Sequence, residues 1–403
     1  MATKIFVSED QENASAAIPA SKRIHVVTLT PFYPFAGDDA AGCFVAEPLA
    51  HLAPHNISSS VFAARPVYRA RRRPSSNALP AKWLSFPSLP GSRGLPSSGT
   101  LLKWRLLRHL RDLHRHDQID LIHAHSALPC GHAALLLARE LNLPFVVSVH
   151  GLDAFSTRQV EGKAGDRCHR ISDEVYRAAR CVICVSDHVR EQVLRGVSGP
   201  VNAMVVYNGV DTELFRPGPS PNESAPPKLL SVGDLIPTKG HALVLRALAA
   251  IRNQFPQVQY DIIGDGPELL SLQKLAVELK IKASFLGRRG RREVAEALRN
   301  CTVFALPSRY EGLGCAYLEA MASGRPAIGC RGQGIDEIIR HQENGWLVDG
   351  ASVDEMASAL LCLLGSAEGR EKIGRAARRT IMNAVTLSHQ AERLNHVYRD
   401  ALA

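Results

Sequence analysis

Short apolar runs recur along the chain, most of them followed by a glycine-bearing turn and a stretch with helical spacing. The runs fall at residues 24–29, 120–125, 144–149, 181–186 and 205–211, and again at 228–233, 260–263, 283–287, 302–306, 326–330 and 345–348. They are near-continuous rather than alternating and rich in Val and Ile, which marks strands buried on both faces of a parallel sheet. Helical spacing lies between them, at Phe44, Leu49 and Leu52, at 131–141, 241–252 and 292–299, and at Leu318, Met321 and Ala322. From Asp354 the pattern is helical to the end. This alternation predicts an α/β fold with helices on both sheet faces.

The pattern breaks once in mid-chain, where residues 215–227 are dense in proline and read as a semi-rigid linker. A chain of 403 residues exceeds one ordinary core, so the break divides two βαβ domains, 23–210 and 228–385, joined by 211–227. Residues 1–22 carry acids and no apolar core of a secretory signal, and are expected to be a disordered lead-in. Residues 74–100, rich in Pro, Ser and Gly, read as an irregular mobile loop.

One stretch concentrates the chemistry. Residues 302–306 form a buried strand, and Leu318, Met321 and Ala322 begin a helix; between them lie Glu311, Gly312, Leu313, Gly314 and Cys315. A strand, a glycine turn and a helix N-terminus make an anion site, because free N–H groups and the helix dipole point the same way. Glu311 and Glu319 lie about 12 Å apart if the segment is helical throughout, which suits gripping two parts of one long ligand. In parallel sheets ligands bind beyond the carboxyl ends of strands. That rule selects further groups: the glycine loop of Gly37 and Gly42, His150, and Asp265. His123 and His125 share one strand face, but no further ligand pattern accompanies them.

The stretch EGLGCAYLEAMASGRP resembles the signature of the retaining glycosyltransferases of family 4, whose fold is GT-B: two Rossmann-like domains facing a cleft. Residues 24 to about 350 carry further elements of that family in order: a glycine loop at 37–42, H-x-H at 123–125, HG-x-D at 150–153, the N-G-V-D turn at 208–211 and a Gly-to-Lys element at 233–239. The resemblance implies transfer of a sugar from a nucleotide diphosphate donor, UDP- or GDP-linked, with retention and without metal or cofactor. The first domain would take the acceptor and the second the nucleotide-sugar, and residues 386–403 would cross back to the first domain.

On that resemblance His150 contacts the donor sugar near the reacting centre, and Asp153 orients the histidine or binds the acceptor. Glu311 holds a sugar hydroxyl and Glu319 accepts from ribose. Lys239 and the N–H groups of 312–315 stabilise the leaving diphosphate, with Gly37 and Gly42 beside it and Gly233, Asp265 and Arg288 among the donor-facing groups. One residue departs from the family. Asp234 stands where an arginine is usual. Arg288, Arg289 or Arg325 compensates, or the lysine and N–H groups suffice, or the chain is a non-catalytic partner of another transferase. A GT-B epimerase or phosphorylase is the other alternative.

Charge adds a partner. The net charge is +9, and between Arg65 and Arg115 cations outnumber acids twelve to one, which predicts an anionic surface. A basic helix bearing Trp104 within that window would suit the inner face of a membrane and a lipid-linked or glycan acceptor of polysaccharide assembly. No nucleic-acid motif accompanies the charge, so no nucleic acid is expected. No apolar run reaches the roughly 18 residues of a membrane span, and nine scattered cysteines favour buried thiols in a reducing cytoplasm over a disulfide framework.

Overall fold

A computed structural model describes residues 22–69, 78–155, 160–218 and 225–403. The lead-in 1–21, Arg71 to Arg73 of the basic window, and linker residues 219–224 lie outside the described residues.

Thirteen strands form two all-parallel sheets among the described residues. The first holds β1 (Ile24–Thr30), β2 (Ile57–Pro66), β3 (Ala81–Phe86), β4 (Leu121–His125), β5 (Phe145–Val149), β6 (Cys181–Cys184) and β7 (Ala203–Val205), in the order β3-β2-β1-β4-β5-β6-β7. The second holds β8 (Lys228–Val232), β9 (Gln259–Ile263), β10 (Lys282–Phe285), β11 (Val303–Ala305), β12 (Ala327–Cys330) and β13 (Trp346–Val348), in the order β10-β9-β8-β11-β12-β13. Both are doubly wound, with the order reversing beside the first strand of each half. Such sheets open a crevice at the reversal, outside the carboxyl ends of the strands. The fold is GT-B.

The continuous apolar runs are two-sided, as parallel strands require. In β1, Val27 and Leu29 join Leu102, Leu106 and Leu110 on one face, while Ile24 and Val26 join Leu394, Val397 and Tyr398 on the other. In β11, Phe304 faces one core and Val303 and Ala305 the other. Helix Leu387–Leu402 therefore covers a face of the first sheet, although it follows the second domain in sequence. Two chain crossings run side by side there: the Val210 N–H donates to the Val385 carbonyl at 3.0 Å, and Gly209 N–H to Gln390 Oε1 at 2.7 Å.

One expectation is corrected. The described part of 74–100 is not an irregular loop, because β3 pairs along β2 from Val61–Ala81 to Pro66–Phe86 and a helix begins at Leu95. Pro80 and Pro87 flank this edge strand rather than interrupt it. The basic helix Leu95–His116 has its apolar stripe in the core, each fully buried leucine contributing about 1.5–3 kcal/mol. Trp104, 68% exposed, lies off that stripe.

Candidate active site

The two sheets present their carboxyl ends to one another, and the signature elements gather there, His123 and His125 on the last residues of β4 and the others on turns beyond the strands. On the first-domain side the chain leaves β1 through Gly37, a left-handed turn at φ 94°, and enters helix Cys43–Leu49 through Gly42. Beside it, β4 and β5 deliver three histidines. His123 Nδ1 is hydrogen-bonded to Tyr398 Oη and its Nε2 to Ser148 Oγ, both at 2.7 Å, and His125 Nδ1 to His150 Nε2 at 3.1 Å. Phe44 stands 4.7 Å from the His150 ring.

Burial disfavours the imidazolium, so His123 and His150 are each pushed down to about 3 and are neutral near pH 7. Asp153 lies under the turn. Its Oδ1 accepts the His150 backbone N–H at 2.9 Å, and burial raises its carboxyl to about 6 against the opposing backbone donors. It braces the main chain of the turn that carries His150.

On the second-domain side β11 runs out through Leu306 into the Glu311 loop. Helix Cys315–Ala322 starts after Gly314, whose φ of 85° only glycine adopts freely. Glu311 is thus in the loop mouth, where the sequence places it, and Glu319 in the helix. Among the described residues nothing accepts from the N–H groups of Gly312, Leu313, Gly314 or Cys315. Lys239 Nζ meets Glu311 Oε1 at 2.5 Å, and the Gly233 α-carbon faces the Lys239 stem. The cation assigned to the diphosphate and the carboxylate assigned to the sugar therefore hold each other here. Asp265 Oδ1 caps its own turn through Gly266 N–H, and its carbonyl accepts from Leu235.

The structure discriminates among the three arginines proposed to offset Asp234. Arg288 lies 3.6 Å from Asp234 and 3.4 Å from Asp38 of the glycine loop. Arg289 pairs with Glu293, and Arg325 is buried against the carbonyls of Leu298 and Arg299. Asp234 thus holds a cation at the cleft instead of being one.

The domains touch. A Cβ on Gly312 would stand 2.0 Å from the His150 carbonyl oxygen, and Ser186 Oγ donates to the Gly312 carbonyl. Glu337 accepts from the N–H groups of Asp187 and His188 at 2.8 Å each and from Tyr207 Oη at 3.0 Å, a carboxylate from one domain at a helix N-terminus of the other. Arg291 joins Glu47 to Glu319.

Residues 44–214 match Glycosyltransferase Family 4, and residues 215–380 match Glycosyl transferases group 1. The D-inositol 3-phosphate glycosyltransferase of Corynebacterium glutamicum is 30% identical over 314 residues, covering 70% of this chain and 73% of that protein. The chain belongs to the group 1, family 4 glycosyltransferases. The GDP-mannose-dependent phosphatidylinositol monomannoside mannosyltransferase of Mycobacterium tuberculosis is 31% identical over 49% of this chain, which spans 56% of that protein. Two solved structures share the fold: sucrose-phosphate synthase of Thermosynechococcus elongatus, with TM-score 0.74, 20% identity and 94% and 98% coverage of this chain and that one, and Anabaena HepE in complex with UDP-glucose, with TM-score 0.72, 17% identity and 93% and 99% coverage.

For a glycosyltransferase the arrangement supplies a cleft with cations and free N–H groups on one wall and neutral imidazoles on the other. The sequence reading missed Glu47, Arg291 and Glu337. Glu337 stands in a loop bearing Gly332 and Gly334 after the apolar run 326–330, so a carboxylate there was a usable signal. Arg291 in the run Arg288–Arg289–Gly290–Arg291–Arg292 had none to separate it from its neighbours. No described helix is long and apolar enough to cross a membrane.

Proposed function

We propose that the protein transfers a sugar from a nucleoside diphosphate donor with retention of anomeric configuration. The observation that carries the reading is the wall formed by Lys239, Arg288 and the four N–H groups of 312–315, facing the neutral His150 across the cleft. Charge develops on a departing diphosphate. Fixed donors and cations aimed at that charge stabilise the transition state without reorganising, and no metal is then required. Glu311 would turn from Lys239 to a sugar hydroxyl as the phosphate takes the lysine. Glu319 would accept from ribose, since an ionised carboxylate only accepts. His150, neutral, can donate to or accept from a sugar oxygen.

The step breaks the bond from the anomeric carbon to the phosphate oxygen, and the electron pair stays on the diphosphate. The acceptor oxygen bonds the same face of the carbon, and its proton passes to the leaving phosphate. HepE, the structural relative in complex with UDP-glucose, and the GDP-mannose-dependent relative support such a donor. The latter's phosphatidylinositol mannoside, together with the exposed Trp104 beside Arg105 and Arg108, supports a lipid-linked or glycan acceptor met at an anionic membrane surface.

Calorimetric titration with UDP, GDP and ADP in excess chelator tests the clamp: selective binding of one is expected, and no binding, or binding only with magnesium, refutes it. Proton NMR of the product made from the matching α-linked donor should show an α-linkage; a β-linkage refutes retention.

A further inference from the structure

Arg291 opens helix Arg291–Asn300 of the second domain, and Asp39 of the glycine loop accepts its backbone N–H at 2.9 Å. Its side chain is buried and divides its donors between two carboxylates from different domains. Nε and Nη2 go to the two oxygens of Glu47, on helix Cys43–Leu49, at 2.9 and 2.8 Å; Nη1 goes to Oε1 of Glu319. Phe215, in the stretch joining the domains, lies 4.7 Å beneath the guanidinium. A cavity of about 570 Å³ adjoins this seam, walled by Glu47 and Asp39 on one side and by Arg291 and Arg292 on the other.

We propose that Glu47 and Arg291 are positioning residues that present Glu319 to the donor only when the domains are closed. The inference rests on the reading of Glu319 as the ribose carboxylate. Arg291 and Glu319 belong to the same domain and stay together when the cleft opens, whereas Glu47 departs with the other. A planar guanidinium left with one carboxylate takes both of its oxygens, the preferred fork-to-fork arrangement. The carboxylate a ribose diol needs is then masked. On closure Glu47 claims the Nε and Nη2 edge, Arg291 retains Glu319 through one nitrogen, and the second Glu319 oxygen is released as an acceptor. Two carboxylates compete for one guanidinium, and domain closure decides the competition. Binding and closure are thereby linked, each favouring the other to the same degree.

Calorimetric titration with UDP and GDP is run on wild type and on Glu319→Gln, Glu47→Gln, Arg291→Gln and the Glu47→Gln/Arg291→Gln double variant, each checked for cooperative melting. Glu47→Gln is expected to weaken the better-bound nucleotide about 5-fold or more, although Glu47 itself touches no nucleotide. The double variant is expected to recover most of that loss, because without the guanidinium nothing masks Glu319. A Glu47→Gln protein that binds like wild type while Glu319→Gln is weakened overturns the proposal and leaves the ribose reading intact. A double variant as weak as Glu47→Gln also overturns it, since Glu47 would then act without Arg291. Wild-type binding by Glu319→Gln overturns the ribose reading itself.

Discussion

Replacing Gly312 by alanine adds one methyl group at the point where the two domains meet. Its backbone is not in the left-handed region, so alanine is compatible with the local conformation. The obstruction comes from across the cleft, because the new Cβ would stand 2.0 Å from the His150 carbonyl oxygen and 3.3 Å from Val185. Ordinary carbon–oxygen contact begins near 3.4 Å, so the two backbones must part by about 1.4 Å. The His150 carbonyl is backbone and cannot swing aside as the end of a flexible side chain could. The displacement therefore falls on the His150 turn, on the N–H groups of 312–315, or on domain closure. A misplacement of about 1 Å at reacting groups costs roughly 100-fold in rate. Gly312→Ala is expected to lower kcat by about that factor while each domain keeps its own core. Gly365→Ala, with nothing within 4 Å of its added methyl, serves as the control. Steady-state turnover with the sugar donor of the nucleotide that binds, and melting by circular dichroism, measure the two effects. Gly312→Ala turnover within twofold of wild type would refute the contact and the role of the loop.

Glu311→Ala should abolish transfer while nucleotide affinity stays largely intact; unchanged turnover removes Glu311 from the site. Arg288→Gln should weaken a nucleoside diphosphate about tenfold, a charged hydrogen bond being worth roughly 1.5–3 kcal/mol, and should leave the corresponding nucleoside unaffected. Equal losses for both would assign Arg288 to closure alone. Acid should destabilise the fold. His123 and His150 are held near 3 and His241 near 4 by burial, so their contribution is complete above about 6.5 and is lost as pH falls, at about 2 kcal/mol each between pH 7 and 5. Glu47 and Asp153, raised to about 7 and about 6, act in the opposite sense and recover part of that loss. Urea midpoints at pH 7 and 5 should therefore fall, and a flat or rising midpoint refutes the buried neutral histidines.

Residues 24–29 and 302–306 were legible as buried parallel strands because both of their faces are apolar, which is a property of consecutive residues. The Glu311–Glu319 loop was legible for the same reason, since a strand, a glycine turn and a helix start are local. β2 and β3 were not read as strands. β2 has a patchy apolar pattern, with Ser58, Ser59 and Ser60 in its first half, and β3 lies in proline-rich sequence at the sheet edge. Arg288 was named among three arginines, and only its distances to Asp38 and Asp234 separate it from the other two.

By itself, then, the order of apolar runs and turns determined two doubly wound sheets, their crevice-facing loops and the residues standing in them. Tertiary structure decided the pairings: Lys239 with Glu311 within the second domain and, across the cleft, Gly312 beneath the His150 carbonyl and Arg291 between Glu47 and Glu319. Glu47 and Arg291 lie 244 residues apart. Periodicity reports which face of a segment is buried, a local quantity. Which charge meets which across a cleft depends on how two separately folded sheets are oriented, and no spacing within either segment carries that information.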